Sequence, residues 1–108
     1  MKFFPLFLFF ILNYSLSAQL PSCDGSRYLN EVFGKTKIST VTFGRNASVL
    51  GDSLNLNMDI YEPDGDVSMA RPAIILAFGG AYVFGDRSQL SDLGHYFARH
   101  GYVAACID

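Results

Sequence analysis

Phe78-Gly79-Gly80-Ala81 is the stretch of this 108-residue chain best suited to hold a developing negative charge. It follows an unbroken apolar run, Ala73-Ile74-Ile75-Leu76-Ala77, of the kind that forms a strand buried on both faces. The paired glycines then permit a tight turn and a close approach of backbone to whatever sits above it. Backbone N–H groups freed at such a break can hold an anion or an oxyanion. Gly79, Gly80 and Ala81 are therefore the candidate donors, since an N–H does not depend on the side chain it accompanies. The plainer reading of the same residues is a turn into the next helix.

Other reactive residue types are sparse. Gly51-Asp52-Ser53-Leu54 spells the short motif of the GDSL hydrolases, whose serine is a nucleophile, so Ser53 is a second candidate. That motif needs an apolar strand before it and a helix after it, whereas here an alternating strand follows. His95 and His100 are five positions apart on one helix, hence on different faces; they form no metal-ligand pair and read as solvated. Asp86, beside the glycine loop, either orients the loop by hydrogen bonds or is a solvated turn residue. Asp59 is expected to face solvent or to bond locally. No metal or cofactor is called for.

The elements that must position these residues follow from periodicity. Asp24-Gly25-Ser26 offers a cap for a short helix carrying Tyr28, Leu29, Val32 and Phe33, stopped by Gly34. Lys37 to Phe43, with Ile38, Thr40, Val41 and Thr42, reads as the first strand, and Gly44 to Ser53 as a loop. Leu54, Leu56, Met58 and Ile60 alternate along the second strand, which should pair with the first as an antiparallel hairpin. Glu62-Pro63-Asp64-Gly65-Asp66 is an acidic turn. After the glycine loop, Ser88 or Ser91 can cap a helix carrying Leu90, Leu93 and Phe97, joined by Gly94 and Ala98. His100 lies in its last turn and Gly101 is its stop. Strand, helix and strand make a βαβ unit, so the Ala73 and Tyr102 strands should be parallel, with Ala73 to Phe78 central in the sheet. Ligand sites in such sheets lie beyond the strands' carboxyl ends, where Gly79 and Gly80 fall.

Taken together, Leu56 to Asp108 resembles the start of an α/β-hydrolase of the carboxylesterase and lipase type. The residues that carry this are Leu56-Asn57-Met58-Asp59-Ile60-Tyr61-Glu62-Pro63, then Phe78-Gly79-Gly80-Ala81-Tyr82, Gly85-Asp86 and Gly101-Tyr102-Val103-Ala104. The family's pattern is an L-x-L-D-x-Y-x-P strand followed by an apolar strand ending H-G-G-G or H-G-G-S. Phe78 stands in place of that histidine, which in the family helps hold the loop, and Ala81 in place of Gly or Ser. The resemblance implies an α/β fold, a hairpin followed by a parallel βαβ unit, and an oxyanion loop at Gly79, Gly80 and Ala81. It also implies a small-molecule ester substrate. No G-x-S-x-G occurs in the chain, so the family's serine, acid and histidine would follow Asp108. A secreted, non-catalytic domain that kept the fold is the rival reading, with Phe78 as its best argument.

Composition bounds the setting. Half of the residues are hydrophobic, which argues against disorder, and the formal net charge is −2 with no basic stripe, so nucleic-acid binding has no electrostatic support. Lys2, the apolar run Phe3 to Leu12 and the small, polar stretch Asn13 to Ala18 read as a signal peptide of residues 1–18. The apolar run is far short of the roughly 20 residues a spanning helix needs, so no stable membrane span is expected. The protein is expected to be secreted or periplasmic, with a lipoprotein attached through Cys23 the lesser alternative. Residues 19–108 then stand as an incomplete α/β-hydrolase domain. Its final apolar strand, Tyr102 to Ile107, should be an unpaired, aggregation-prone edge. Cys23 and Cys106 could pair in an oxidising compartment, or Cys106 could be a buried free thiol. Asn46-Ala47-Ser48 is an N-glycosylation triplet on a loop, meaningful in a eukaryotic secretory host.

Overall fold

The computed structural model describes residues 24–80 and 84–108. Residues 1–23 and 81–83 lie outside the described residues, and with them the expected signal peptide, the lipid attachment at Cys23, a disulfide between the two cysteines and the Ala81 donor. The described residues form a mixed, four-stranded α/β-type sheet in the order β1-β2-β4-β3. Its strands are β1 (Thr36–Ala47), β2 (Ser53–Pro63), β3 (Ala73–Ala77) and β4 (Val103–Ile107). A 3-10 helix, Arg87–Leu90, runs into the single α-helix α1 (Ser91–Arg99). No helix among the described residues is long and apolar enough to cross a membrane.

The hairpin forms as its alternation dictates. β1 and β2 are antiparallel, with Ile38 opposite Tyr61 and Val41 opposite Met58, and a register shift between Thr42 and Gly44 marks a bulge at Phe43. Both strands run further than expected, because the loop between them tightens to Ser48–Asp52. The Ser48 hydroxyl accepts the N–H groups of Leu50 and Asp52 there. β3 and β4 are parallel, with Ala73 opposite Val103 and Ala77 opposite Ile107, as the βαβ pattern requires.

Two expectations about sheet position are corrected. β4, not β3, is interior: it pairs with β2 antiparallel on one side and β3 parallel on the other. β3 therefore forms one edge of the sheet among the described residues, with β1 at the other, and the final strand is not an unpaired edge. The reason is that the crossover helix returns the chain into the gap beside the hairpin, where β4 satisfies donors and acceptors of β2 and β3 together.

α1 covers one face of the sheet. Tyr61, Ala98, Ala104 and Cys106 form the buried core, with Leu76, Leu90 and Phe97 packed against it. The inward face of the helix is thus Leu90, Gly94, Phe97 and Ala98, while Leu93 stays 46% exposed. Cys106 is buried and forms no disulfide among the described residues, its pKa pushed up by burial and then by the nearby Asp59 carboxylate. Pairing places Leu56, Met58, Ile60, Ala105, Ile107 and Ile75 on the opposite face. No helix among the described residues covers that face, and Ile75 is 71% exposed.

Gly94 sets how closely α1 approaches the sheet. A Cβ there would lie 2.6 Å from Cδ2 and 2.8 Å from Cγ of the Tyr61 ring. Alanine ordinarily favours a helix over glycine by about 1 kcal/mol. Forcing an extra methyl into a filled core costs about 1–3 kcal/mol, and Tyr61, 4% exposed, has nowhere to turn. Gly94→Ala is therefore expected to lower stability by about 1 kcal/mol, and Gly94→Val by more, in denaturant unfolding of the full-length protein. A Gly94→Ala variant more stable than wild type would contradict this packing.

The expected helix over Ser26 to Phe33 does not form. Asp24 does cap a turn, accepting from the N–H groups of Ser26 and Arg27, but Tyr28 then takes a left-handed φ of 74°. The N–H of Tyr28 donates to His100 O, and those of Val32 and Phe33 donate to Arg99 O. These donors cap the open carbonyls at the end of α1, which a helix of their own would have prevented. Gly101, at φ 97°, ends α1 as its sequence position indicates.

Candidate functional site

The glycine loop stands at the carboxyl end of β3, directly after Ala77. Gly80 adopts φ 158°, and its carbonyl accepts the Phe84 N–H at 3.3 Å, closing the loop upon itself. A Cβ on Gly80 would lie 1.6 Å from the Phe84 carbonyl oxygen, so no side chain fits at this position. Gly85, at φ 128°, is equally constrained: a Cβ there would sit 2.4 Å from Cδ2 of Phe78. The Phe78 ring thus covers the bare Cα of Gly85. An apolar contact ties the two limbs of the loop at the position where the resembled family uses a histidine. Sequence reading assigned Gly79 and Gly80 a role, but it missed this pairing of Phe78 with Gly85.

The downstream limb is held by charge. Asp86 caps the 3-10 helix, accepting the Ser88 N–H at 2.7 Å, so neither Ser88 nor Ser91 is the side-chain cap. Its pKa is lowered, first by the Ser88 side chain and then by the Ser88 backbone. Arg87 Nε donates to Asp59 Oδ2 at 2.9 Å, and Arg87 Nη1 donates to both oxygens of Asp108 at 2.9 Å. Asp59 also accepts the Thr40 hydroxyl at 2.6 Å, and Asp108 accepts the Asn57 N–H at 3.0 Å. Asp59 is therefore neither solvated nor merely local; it bridges β1, β2 and the loop's exit. The Arg87 guanidinium pKa is raised, foremost by Asp108. The one sequence signal for this cluster was an arginine directly after Gly85-Asp86, with an aspartate closing the next strand.

The remaining candidates are not brought to this site. Ser53 opens β2 opposite Ala47, with a strand and no helix behind it. His95 lies beside Thr36, at the other end of β1 from the residue opposite Ser53, so at about 3.4 Å per residue the two are roughly 35 Å apart. Neither histidine is a solvated helix residue. His95 Nδ1 is 2.5 Å from Thr36 Oγ1 and its ring meets the edge of Tyr61, because the side chain points between β1 and β2. His100 is 8% exposed, with Nδ1 at 2.7 Å from Tyr96 O. Among the described residues no group of acidic, histidine or cysteine side chains could hold a metal ion. Asn46 falls inside β1, opposite Leu54, and not on a loop.

Compared with known proteins, the chain matches no family model, no curated protein and no solved structure. Its class is accordingly that of the fold alone: a mixed α/β sheet with a closed glycine loop at the carboxyl end of a parallel strand.

Proposed function

We propose that this chain is the N-terminal part of an exported ester hydrolase of the carboxylesterase and lipase type, and that Gly79, Gly80 and Ala81 supply its oxyanion donors. The observation that carries the reading is the place and form of the glycine loop. It follows a parallel strand of a βαβ unit, at the carboxyl end beyond which ligands bind in such folds, and Gly80 admits no side chain. Ester attack puts negative charge on the carbonyl oxygen, and fixed N–H donors aimed at it stabilise that charge without reorganising. In this reading the nucleophilic serine, acid and histidine are supplied by chain after Asp108, and the leader is cleaved after Ala18.

The test has a sequence arm and a kinetic arm. The coding sequence past Asp108 is expected to contain a G-x-S-x-G followed by an aspartate or glutamate and a histidine. The full-length protein is expected to hydrolyse a short p-nitrophenyl ester, unchanged by Ser53→Ala and abolished by replacing the new serine. A continuation without the motif, and no turnover, would favour the non-catalytic binding domain. Activity lost with Ser53→Ala would instead establish the GDSL reading.

A further inference from the structure

We infer that Arg87 is the positioning residue of the glycine loop, a conclusion that rests on the ester-hydrolase reading for its catalytic consequence but not for its structural one. Arg87 leaves the loop directly after Gly85-Asp86, and it is the only one of these three residues whose side chain reaches across to two strands. Its Nε and Nη1 engage different carboxylates. Asp59 belongs to β2 and Asp108 follows β4, so one planar guanidinium fixes the loop exit to two neighbouring strands at once. Both carboxylates are in turn held, by Thr40 Oγ1 and by the Asn57 N–H, and neither can swing away freely.

The chain of contacts from this anchor to the donors is short. Arg87 fixes Asp86 and Gly85; Gly85 lies under the Phe78 ring; Phe84 closes on Gly80 through its N–H. The three charged side chains are only 17–26% exposed, so their attraction is less screened than that of a surface pair. Freeing the guanidinium releases the exit limb, and with it the Phe84-to-Gly80 hydrogen bond that closes the loop around its N–H donors. Displacements of about 1 Å in a reacting geometry can cost on the order of 10²-fold in rate. Arg87 touches no reacting atom in this account; it acts through the backbone it holds.

The experiment compares wild type, Arg87→Ala and Arg87→Lys in the full-length protein, the lysine keeping the charge but losing the two-carboxylate reach. Ester turnover and amide hydrogen exchange are read together. Arg87→Ala is expected to lower kcat by about 10-fold or more with KM changed less than about threefold, and to speed exchange selectively over residues 78–86. Millimolar guanidinium should restore part of the lost kcat, which a general loss of stability would not allow. Should Arg87→Ala fail to fold, Arg87→Lys is expected to show the same pattern in weaker form. Unchanged exchange over the loop overturns the inference, and so does faster exchange with unchanged kcat in an active enzyme. If wild type turns over no ester, the hydrolase reading fails by itself. The exchange comparison then decides alone whether Arg87 holds the loop.

Discussion

Gly80→Ala in the full-length protein is expected to lower ester turnover by about 10²–10³-fold, the usual consequence of losing one oxyanion donor. The methyl has no room: an added Cβ would lie 1.6 Å from the Phe84 carbonyl oxygen and 2.8 Å from its carbon. These are backbone atoms, so relief requires the loop to open. Opening it breaks the Phe84-to-Gly80 hydrogen bond that closes the loop on which the Gly80 N–H is carried. Gly80→Pro goes further, since proline removes the donor outright and fixes φ near −65°, far from the 158° observed. Ala81→Gly is the matched control, because it keeps its N–H and should change turnover little. Steady-state kinetics on the three variants, with thermal unfolding to show that each is folded, makes the comparison. A folded Gly80→Pro variant with unchanged turnover would mean that these glycines form a turn and nothing more.

Replacing Arg27 by methionine is expected to destabilise the protein by about 3 kcal/mol, the low end of the cost of removing one partner of a buried ion pair, because Arg71 still faces Asp66. Arg27 Nη1 and Nη2 engage the two oxygens of Asp66 at 3.0 and 2.5 Å, and the side chains are 10% and 4% exposed. Nη2 also donates to Gly101 O, so one guanidinium ties the segment before β1 to the β2–β3 connection and to the end of α1. Arg71 adds a second cation 3.7 Å from Asp66. The Asp66 pKa is lowered, first by its hydrogen bonds from Arg27, against the opposing effect of burial. A carboxylate with a depressed folded-state pKa contributes stability that is complete above its unfolded value. That contribution drains away as pH falls from about 5 through the folded pKa. Urea unfolding midpoints measured from pH 7 to pH 3 should therefore fall steeply for wild type and more gently for Asp66→Asn. Parallel pH profiles for the two proteins would show that this pair does not govern acid stability.

Much of the fold was legible because its signals are local. The alternation Leu54, Leu56, Met58, Ile60 required a strand with one apolar face, and it forms with those residues on a common face. The apolar run Ala73 to Ala77, an amphipathic helix and Gly101 required a parallel βαβ unit, and it is there. Gly80 was legible as a place where backbone comes close, since only glycine tolerates such contact, whereas Gly79 has open space around it.

What the sequence by itself determined, then, is the identity and order of the elements, because hydrophobic period and turn chemistry act over a few neighbouring residues. Tertiary structure decided the rest. It placed β4 between β2 and β3, it denied Ser26 to Phe33 a helix so that their N–H groups could cap α1, and it drew His95 and His100 inward. It also brought Arg87 to Asp59 and Asp108, and Arg27 to Asp66. Each of these depends on partners distant in the chain, where the energy of a contact is set by burial and by which polar groups remain unpaired. No local pattern encodes that, so it emerges only when the whole sheet has closed.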